Sequence, residues 1–253
     1  MPKVYKLKDK SDSYVIKKDQ VFDCPNRLIM IGKSGSGKSS LLGNLLLRDD
    51  FFKNDYEPQN IYIFSGSLDG DIKLKTIVET LQIPESNLFD SWDENMASEI
   101  YDLMVDEFNE SVDNKKIPKN SLFILDDLSY TNVLKSNKKN SIIDKLYCNG
   151  RKFNISVWTT SQKFSSINTQ CRENISGAIL FGCSNKQLDL IEQDMNYLNN
   201  KKEFYDLYRK NTVKRNDFLV IDYSKDNIYR NMEFKSICMC KDGSNKCGGI
   251  IQK

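Results

Sequence analysis

Short apolar runs alternate along the chain with amphipathic stretches. Arg27-Leu28-Ile29-Met30-Ile31 reads as a buried strand, and Lys38 to Arg48 places Leu41, Leu42, Leu45 and Leu46 on one helical face. Asn60 to Phe64 predicts a second strand and Asp71 to Leu81 a helix. From about Glu94 to Glu110, Met96, Ile100, Leu103, Met104 and Phe108 recur at helical spacing. Ser121 to Leu125 predicts a third strand and Ile142 to Asn149 closes a basic helix. Asn154 to Thr160 and Gly177 to Phe181 read as two further strands. Helical stretches around 185–199 and 201–211 precede a late strand from Asp217 to Tyr223. Strands separated by helices imply right-handed crossovers. The expected fold is therefore α/β, three layers with a mostly parallel central sheet covered on both faces. The core domain is expected over 26–225, after a short arm at 1–25 and before a small extension at 226–253. The arm carries six lysines before position 19. There is no internal repeat and no low-complexity linker.

Composition narrows the chemistry. A chain of 253 residues, 39% hydrophobic and 28% charged, suits one large domain with a sizeable core. Its formal charge of +2 says nothing about nucleic acid, so only the distribution of charge can. No apolar run reaches the roughly 18 residues of a membrane span, and the first residues lack the apolar core of a secretory signal. Seven scattered cysteines agree with free thiols in a reducing compartment. The absence of histidine removes the commonest general base, so any chemistry runs on carboxylates, amides, Lys, Arg and metal.

Between the first strand and the first helix lies Gly32-Lys33-Ser34-Gly35-Ser36-Gly37-Lys38-Ser39, followed by Ser40. Glycines let backbone N–H groups turn in on phosphates, Lys38 neutralises β- and γ-phosphate charge, and Ser39 holds Mg²⁺. With strand and helix in the required order, the stretch is a phosphate-binding loop, and ATP with Mg²⁺ is the expected ligand. A second motif, Leu122-Phe123-Ile124-Leu125-Asp126-Asp127, delivers two carboxylates to the carboxyl edge of the sheet. Asp126 would hold Mg²⁺ through water and Asp127 would polarise the attacking water; a solvated turn after a strand has the same appearance. A third, Thr159-Thr160-Ser161-Gln162, places an amide where it can report on the γ-phosphate, or merely cap the next segment. Arg151 stands at the other end of that strand, roughly 25 Å away. It is either a surface arginine or a finger reaching a neighbouring subunit's nucleotide, with Arg172 a second candidate.

These features together resemble the FtsK/HerA superfamily, and within it the poxvirus-type genome-packaging ATPases of large DNA viruses and virophages. The residues that carry the resemblance are Gly32 to Ser39, the Phe123 to Asp127 strand, Arg151 before a strand, Thr160-Ser161-Gln162-Lys163-Phe164 after it, and Arg172-Glu173-Asn174. It covers about 25–185. It implies a RecA-like P-loop NTPase forming a ring that hydrolyses ATP to move double-stranded DNA into a preformed capsid. Gln162 is then the sensor and Arg151 the finger supplied in trans. The implied partners are double-stranded DNA, further copies of the chain, and a capsid or portal-vertex protein. The implied location is the host-cell cytoplasm at the site of virus assembly, with association with the virion as a further option.

A DNA motor needs basic surface. Lys135, Lys138, Lys139, Lys145, Arg151 and Lys152 crowd one segment, and Lys201, Lys202, Arg209, Lys210, Lys214 and Arg215 another. Such residues serve sequence-independent backbone contact or simply face solvent. The 132–140 loop follows the acidic pair, which makes Lys135, Lys138 and Lys139 the DNA-contact candidates. Cys238, Cys240 and Cys247 offer three of the four ligands a structural zinc usually takes, with Cys24, Cys148, Cys171 or Cys183 needed to complete it from afar; the alternative is a flexible tail. Competing readings are a cellular or plasmid translocase of the same superfamily, a small-molecule kinase, and a nucleotide-switched assembly protein.

Overall fold

The computed structural model describes residues 14–135, 141–226 and 228–237. Among these residues, seven helices surround an eight-stranded sheet. The strands are β1 Arg27–Ile31, β2 Ile61–Ser65, β3 Leu88–Phe89, β4 Ser121–Asp126, β5 Ile155–Ser161, β6 Gly177–Phe181, β7 Phe218–Asp222 and β8 Tyr229–Arg230. The helices are α1 Lys38–Leu47, α2 Ile72–Leu81, α3 Glu94–Asp113, α4 Ile142–Asn149, α5 Thr169–Glu173, α6 Asn185–Met195 and α7 Lys201–Asn211. Across the sheet the order is β3-β2-β4-β5-β1-β6-β7-β8. The first six in that order are parallel, and β7 and β8 turn antiparallel at the edge. None of the described helices is long and apolar enough to cross a membrane.

Helices cover both faces, so the central strands read as continuous apolar runs; every residue of β4, β5, β6 and β7 is buried. Alternation along β1 separates two cores. Leu28 and Met30 meet Leu42 and Leu45 of α1, Leu74 and Ile77 of α2, and Trp158. Ile29 and Ile31 face the other layer, with Ile100 and Met104 of α3, Leu146 of α4 and Phe204 of α7. Trp158 is fully buried, and its indole N–H donates to Asn26 Oδ1 at 2.6 Å. Helix starts are set by side chains that accept otherwise orphaned N–H groups: Asp71, Asp93, Ser141, Asn168 and Asn200.

The residues on either side of 26–225 pack onto this sheet. Val21, Phe22 and Cys24 are buried, and a Cβ on Gly177 would lie 2.2 Å from the Phe22 ring. Beyond 225, β8 pairs with β7, and Phe234 is buried against Phe22, Phe51 and Phe218. Lys225 Nζ reaches Asp23 at 2.6 Å and Arg230 Nη1 donates to Gln20 O at 3.1 Å, which ties the two flanks together. Three elements lie outside the sequence expectation: β3, α5 and β8. The first and last are two residues long and α5 is five, too short for any periodicity to register. Helix α6 also stops at Met195 rather than near 199.

Candidate nucleotide site

The phosphate loop is fixed at both ends before any ligand is considered. Gly32 N donates to Ser161 O at 3.1 Å, so the loop leaves β1 tied to the end of β5. A Cβ on Gly32 would lie 2.6 Å from both Phe181 Cβ and Ser36 Oγ, which leaves no room for a side chain. Gly35 (φ 71°) and Gly37 (φ 107°) adopt left-handed backbone, a conformation that glycine enters without steric cost. Gly37 then starts α1, whose first turn carries no acidic residue, so its free N–H groups and positive dipole end suit an anion. Lys38 folds back across the loop, donating to Gly32 O at 2.8 Å and Lys33 O at 3.3 Å. Burial lowers its pKa, and the Asp127 and Asp126 carboxylates oppose that shift.

The parallel order brings the acidic pair beside this loop. Asp126 closes β4 and is 4% exposed; Thr160 Oγ1 donates to its Oδ1 at 2.6 Å and Ser65 Oγ to its Oδ2 at 3.0 Å. Burial pushes the Asp126 pKa up, the two hydroxyls hold it down, and the neighbouring Asp127 and Asp71 carboxylates add to the rise. Asp127 follows with a left-handed backbone (φ 47°), an uncommon state for a residue with a Cβ. Its N–H donates to Thr160 Oγ1 at 3.1 Å. Gln162 Nε2 donates to Asp127 Oδ2 at 3.2 Å and Oδ1 at 3.3 Å. The capping role at the end of β5 falls instead to Ser161, whose hydroxyl meets Lys163 O at 3.0 Å.

Ser39 Oγ donates to Asp71 Oδ2 at 2.7 Å, while Asp71 Oδ1 accepts from Lys73 N and Leu74 N to start α2. Lys73 Nζ reaches Ser40 Oγ at 2.6 Å. Lys38, Ser39, Asp71, Asp126, Asp127 and Gln162 all line one cavity of about 620 Å³. A cavity of similar size, about 640 Å³, opens between α2 and α3 beside β3 and holds none of these groups. The donors around Ser39 are hard oxygens, a hydroxyl with the Asp71 and Asp126 carboxylates nearby, and these fit Mg²⁺. That ion takes only one or two protein ligands and completes its shell with phosphates and water.

Asp71 and Ser65 were not among the sequence candidates. Asp71 carries an ordinary helix-start signal, but nothing in the spacing links it to Ser39. Arg151 lies elsewhere, at the amino edge of the sheet, in a cavity of about 400 Å³ with Lys17, Asp23 and Arg27. Arg172 is held by Asp194, by Thr169 Oγ1 at 3.1 Å and by the Phe164 ring at 4.8 Å. Lys135 is exposed at the end of a short 3₁₀ turn; Lys138 and Lys139, like Cys238, Cys240 and Cys247, fall outside the described residues. Cys24, Cys148, Cys171 and Cys183 are free thiols.

The profile of the Poxvirus A32 protein family matches residues 14–247. A search of curated protein sequences finds no match. Among solved structures, the genome packaging NTPase B204 from Sulfolobus turreted icosahedral virus 2 in complex with AMP aligns with a TM-score of 0.58. It is 15% identical over 84% of this chain and 98% of that one. The DNA-packaging ATPase B204 from Sulfolobus Turreted Icosahedral Virus aligns with a TM-score of 0.55 at 15% identity, over 81% and 96%. The AMPPCP complex of the former gives 0.53 at 14% identity, over 79% and 93%. At these identities the likeness is one of fold, that of P-loop NTPases.

Proposed function

The chain belongs to the Poxvirus A32 protein family, and from that premise we propose that it is a Mg²⁺-dependent ATPase that drives double-stranded viral DNA into a capsid. The observation that carries the reading is the convergence of Lys38, Asp126, Asp127 and Gln162 on one cavity. The names of the structurally similar B204 proteins, genome packaging NTPase and DNA-packaging ATPase, support the biological setting.

In this reading the loop from Gly32 to Ser40 cradles the phosphates, and Lys38 exchanges its carbonyl partners for phosphate oxygens. Ser39 and Asp126 hold the Mg²⁺, which supplies charge neutralisation on the phosphates. Asp127 orients and polarises the attacking water, because its carboxylate lines the cavity beside Lys38 and accepts from the Gln162 amide. Gln162 is the sensor: its amide, which donates to Asp127, turns to the γ-phosphate when that group is present.

Hydrolysis is completed across subunits. Arg151 sits at the edge of the sheet opposite its own phosphate loop, so the nucleotide it serves is a neighbour's in a ring. Arg172, pinned by its own chain, is the weaker candidate. The loop holding Lys135, Lys138 and Lys139 contacts DNA phosphates, and a capsid or portal-vertex protein anchors the ring in the host cytoplasm.

The test is steady-state ATP hydrolysis by the full chain, with and without long double-stranded DNA, over a salt series, and with Arg151→Ala mixed into wild type. DNA stimulation that salt weakens, together with poisoning of mixed assemblies, is the expected result. Turnover indifferent to both DNA and mixing would leave a kinase or a monomeric switch as the better description.

A further inference from the structure

The antiparallel edge strand gives the phosphate loop a neighbour that no motif contains. A parallel strand begins at the amino edge of the sheet, far from the site, but β7 runs against β6, with Phe218 opposite Phe181. It therefore begins where β6 ends, at the carboxyl edge. The rings of Phe181 and Phe218 pack 5.0 Å apart and hold that start in place. The turn leading into β7 is closed on itself: Lys214 N donates to Asp217 Oδ2 at 2.9 Å and Asp217 N to Lys214 O at 3.1 Å. Its two middle residues, Arg215 and Asn216, are carried over the glycines of the phosphate loop.

The contacts are specific. A Cβ on Gly35 would lie 2.2 Å from Arg215 Nη2, so the guanidinium rests directly on the Gly35 Cα. A Cβ on Gly37 would lie 3.8 Å from Asn216 Cγ and 3.6 Å from the Phe181 ring, and Asn216 lines the nucleotide cavity. Arg215 is exposed and has no carboxylate partner among the described residues. Two other cations of its sequence cluster are engaged on α7, where Lys201 pairs with Asp189 and Arg209 covers the Tyr205 ring. A guanidinium lying on a phosphate loop has an anion as its natural partner, and its planar fork suits phosphate oxygens better than an ammonium does.

We propose that Arg215 is a phosphate-binding residue in cis, contacting the phosphates of the nucleotide held by its own subunit from the Gly35 side, with Asn216 positioning the turn over Gly37. The assignment rests on the phosphate-loop reading above. It gives the site two arginines of different origin, Arg215 from the same chain and Arg151 from a neighbour.

Equilibrium binding of the β,γ-methylene analogue of ATP to the full chain tests it, with wild type, Arg215→Ala, Arg215→Lys and Lys38→Ala compared at matched melting temperature. Arg215→Ala is expected to weaken binding about tenfold, the scale of one lost charge-assisted hydrogen bond. Arg215→Lys should recover part of the loss, and the gap should narrow at high salt. Binding by Arg215→Ala equal to wild type, with Lys38→Ala deficient, would overturn the proposal and leave the phosphate loop standing. Unchanged binding by Lys38→Ala would remove both. A turnover assay on Arg215→Ala mixed with Lys38→Ala separates cis from trans: no recovery is expected, whereas regained activity would place Arg215 on the neighbour's nucleotide and overturn the cis assignment.

Discussion

At the carboxyl edge of the sheet every charged group lining the cavity has a polar partner from the same chain, whereas at the amino edge cations gather around a carboxylate already in use. Lys38 rests on two carbonyls, Asp126 accepts from two hydroxyls, and Asp127 accepts from Gln162. Across the sheet, Arg27, Arg151 and Lys17 line the second cavity with Asp23, which is taken by Lys17 and by Lys225, each at 2.6 Å. Arg27 Nη1 reaches Tyr147 O at 3.3 Å, but its Nε is buried without a partner. Burial, and the nearby Arg151, lower the Arg27 pKa. The contrast follows from strand direction. A parallel sheet sends every post-strand loop to one edge, where opposite charges can be interleaved and preorganised. The other edge is left with a surplus of positive charge, which suits the phosphates of another molecule.

Removing one cation from each edge separates their roles. Lys38→Ala and Arg151→Ala should each lower turnover about a thousandfold, the scale reported for lost oxyanion-type donors and for arginine fingers. They should differ in binding. Lys38→Ala loses affinity for the nucleotide in its own subunit, while Arg151→Ala binds as wild type, because its target lies elsewhere. Phosphate release paired with equilibrium binding reads both. Loss of affinity in Arg151→Ala would collapse the two edges into one site.

Within the carboxyl edge the expected effects are smaller. Asp127→Asn should cost about a hundredfold in turnover with binding retained, in keeping with the loss of a general base. Gln162→Ala should cost about tenfold. Since the two side chains are in contact, the double variant should fall short of the product of the single effects. Full additivity in single-turnover kinetics would mean that the Asp127 to Gln162 contact has no part in the reaction.

The legible parts of this site were those encoded in consecutive residues. A glycine-rich loop between a strand and a helix, or two aspartates after four apolar residues, shows its chemistry and its placement in one stretch of chain. The relations between stretches were not legible. Gln162 meets Asp127 because β4 and β5 are neighbours, Ser65 meets Asp126 because β2 lies on the other side of β4, and strand order is absent from a periodicity. Asp71 reads as a helix start and nothing more until α2 is packed against α1. Arg215 was visible as one of six cations in a run, and its position over Gly35 depends on the reversal of strand direction at β7. The mostly parallel α/β sheet was expected from the alternation, while β3, α5 and β8 were too short to leave a pattern.

The smallest expected effect concerns stability at Asp126. Its pKa is raised, chiefly by burial, with Asp127 and Asp71 adding to the rise against Thr160 and Ser65. A raised carboxylate pKa means that the folded state holds the proton more tightly than the unfolded chain does. Below the ordinary carboxylate range, about 4, both states are protonated and the site is neutral in effect. As pH climbs from there through the folded-state value, ionisation is resisted only in the folded state, and stability falls. Asp126→Asn removes that penalty while keeping the shape. It should melt about 2–4 °C above wild type at neutral pH, and the gap should close as pH drops toward the ordinary carboxylate range. A lower melting temperature for Asp126→Asn at neutral pH would show that the hydroxyls of Thr160 and Ser65 outweigh burial, making Asp126 a structural anchor. The expected gain, coupled to lost turnover, is the signature of a carboxylate kept charged for a cation that the fold alone does not supply.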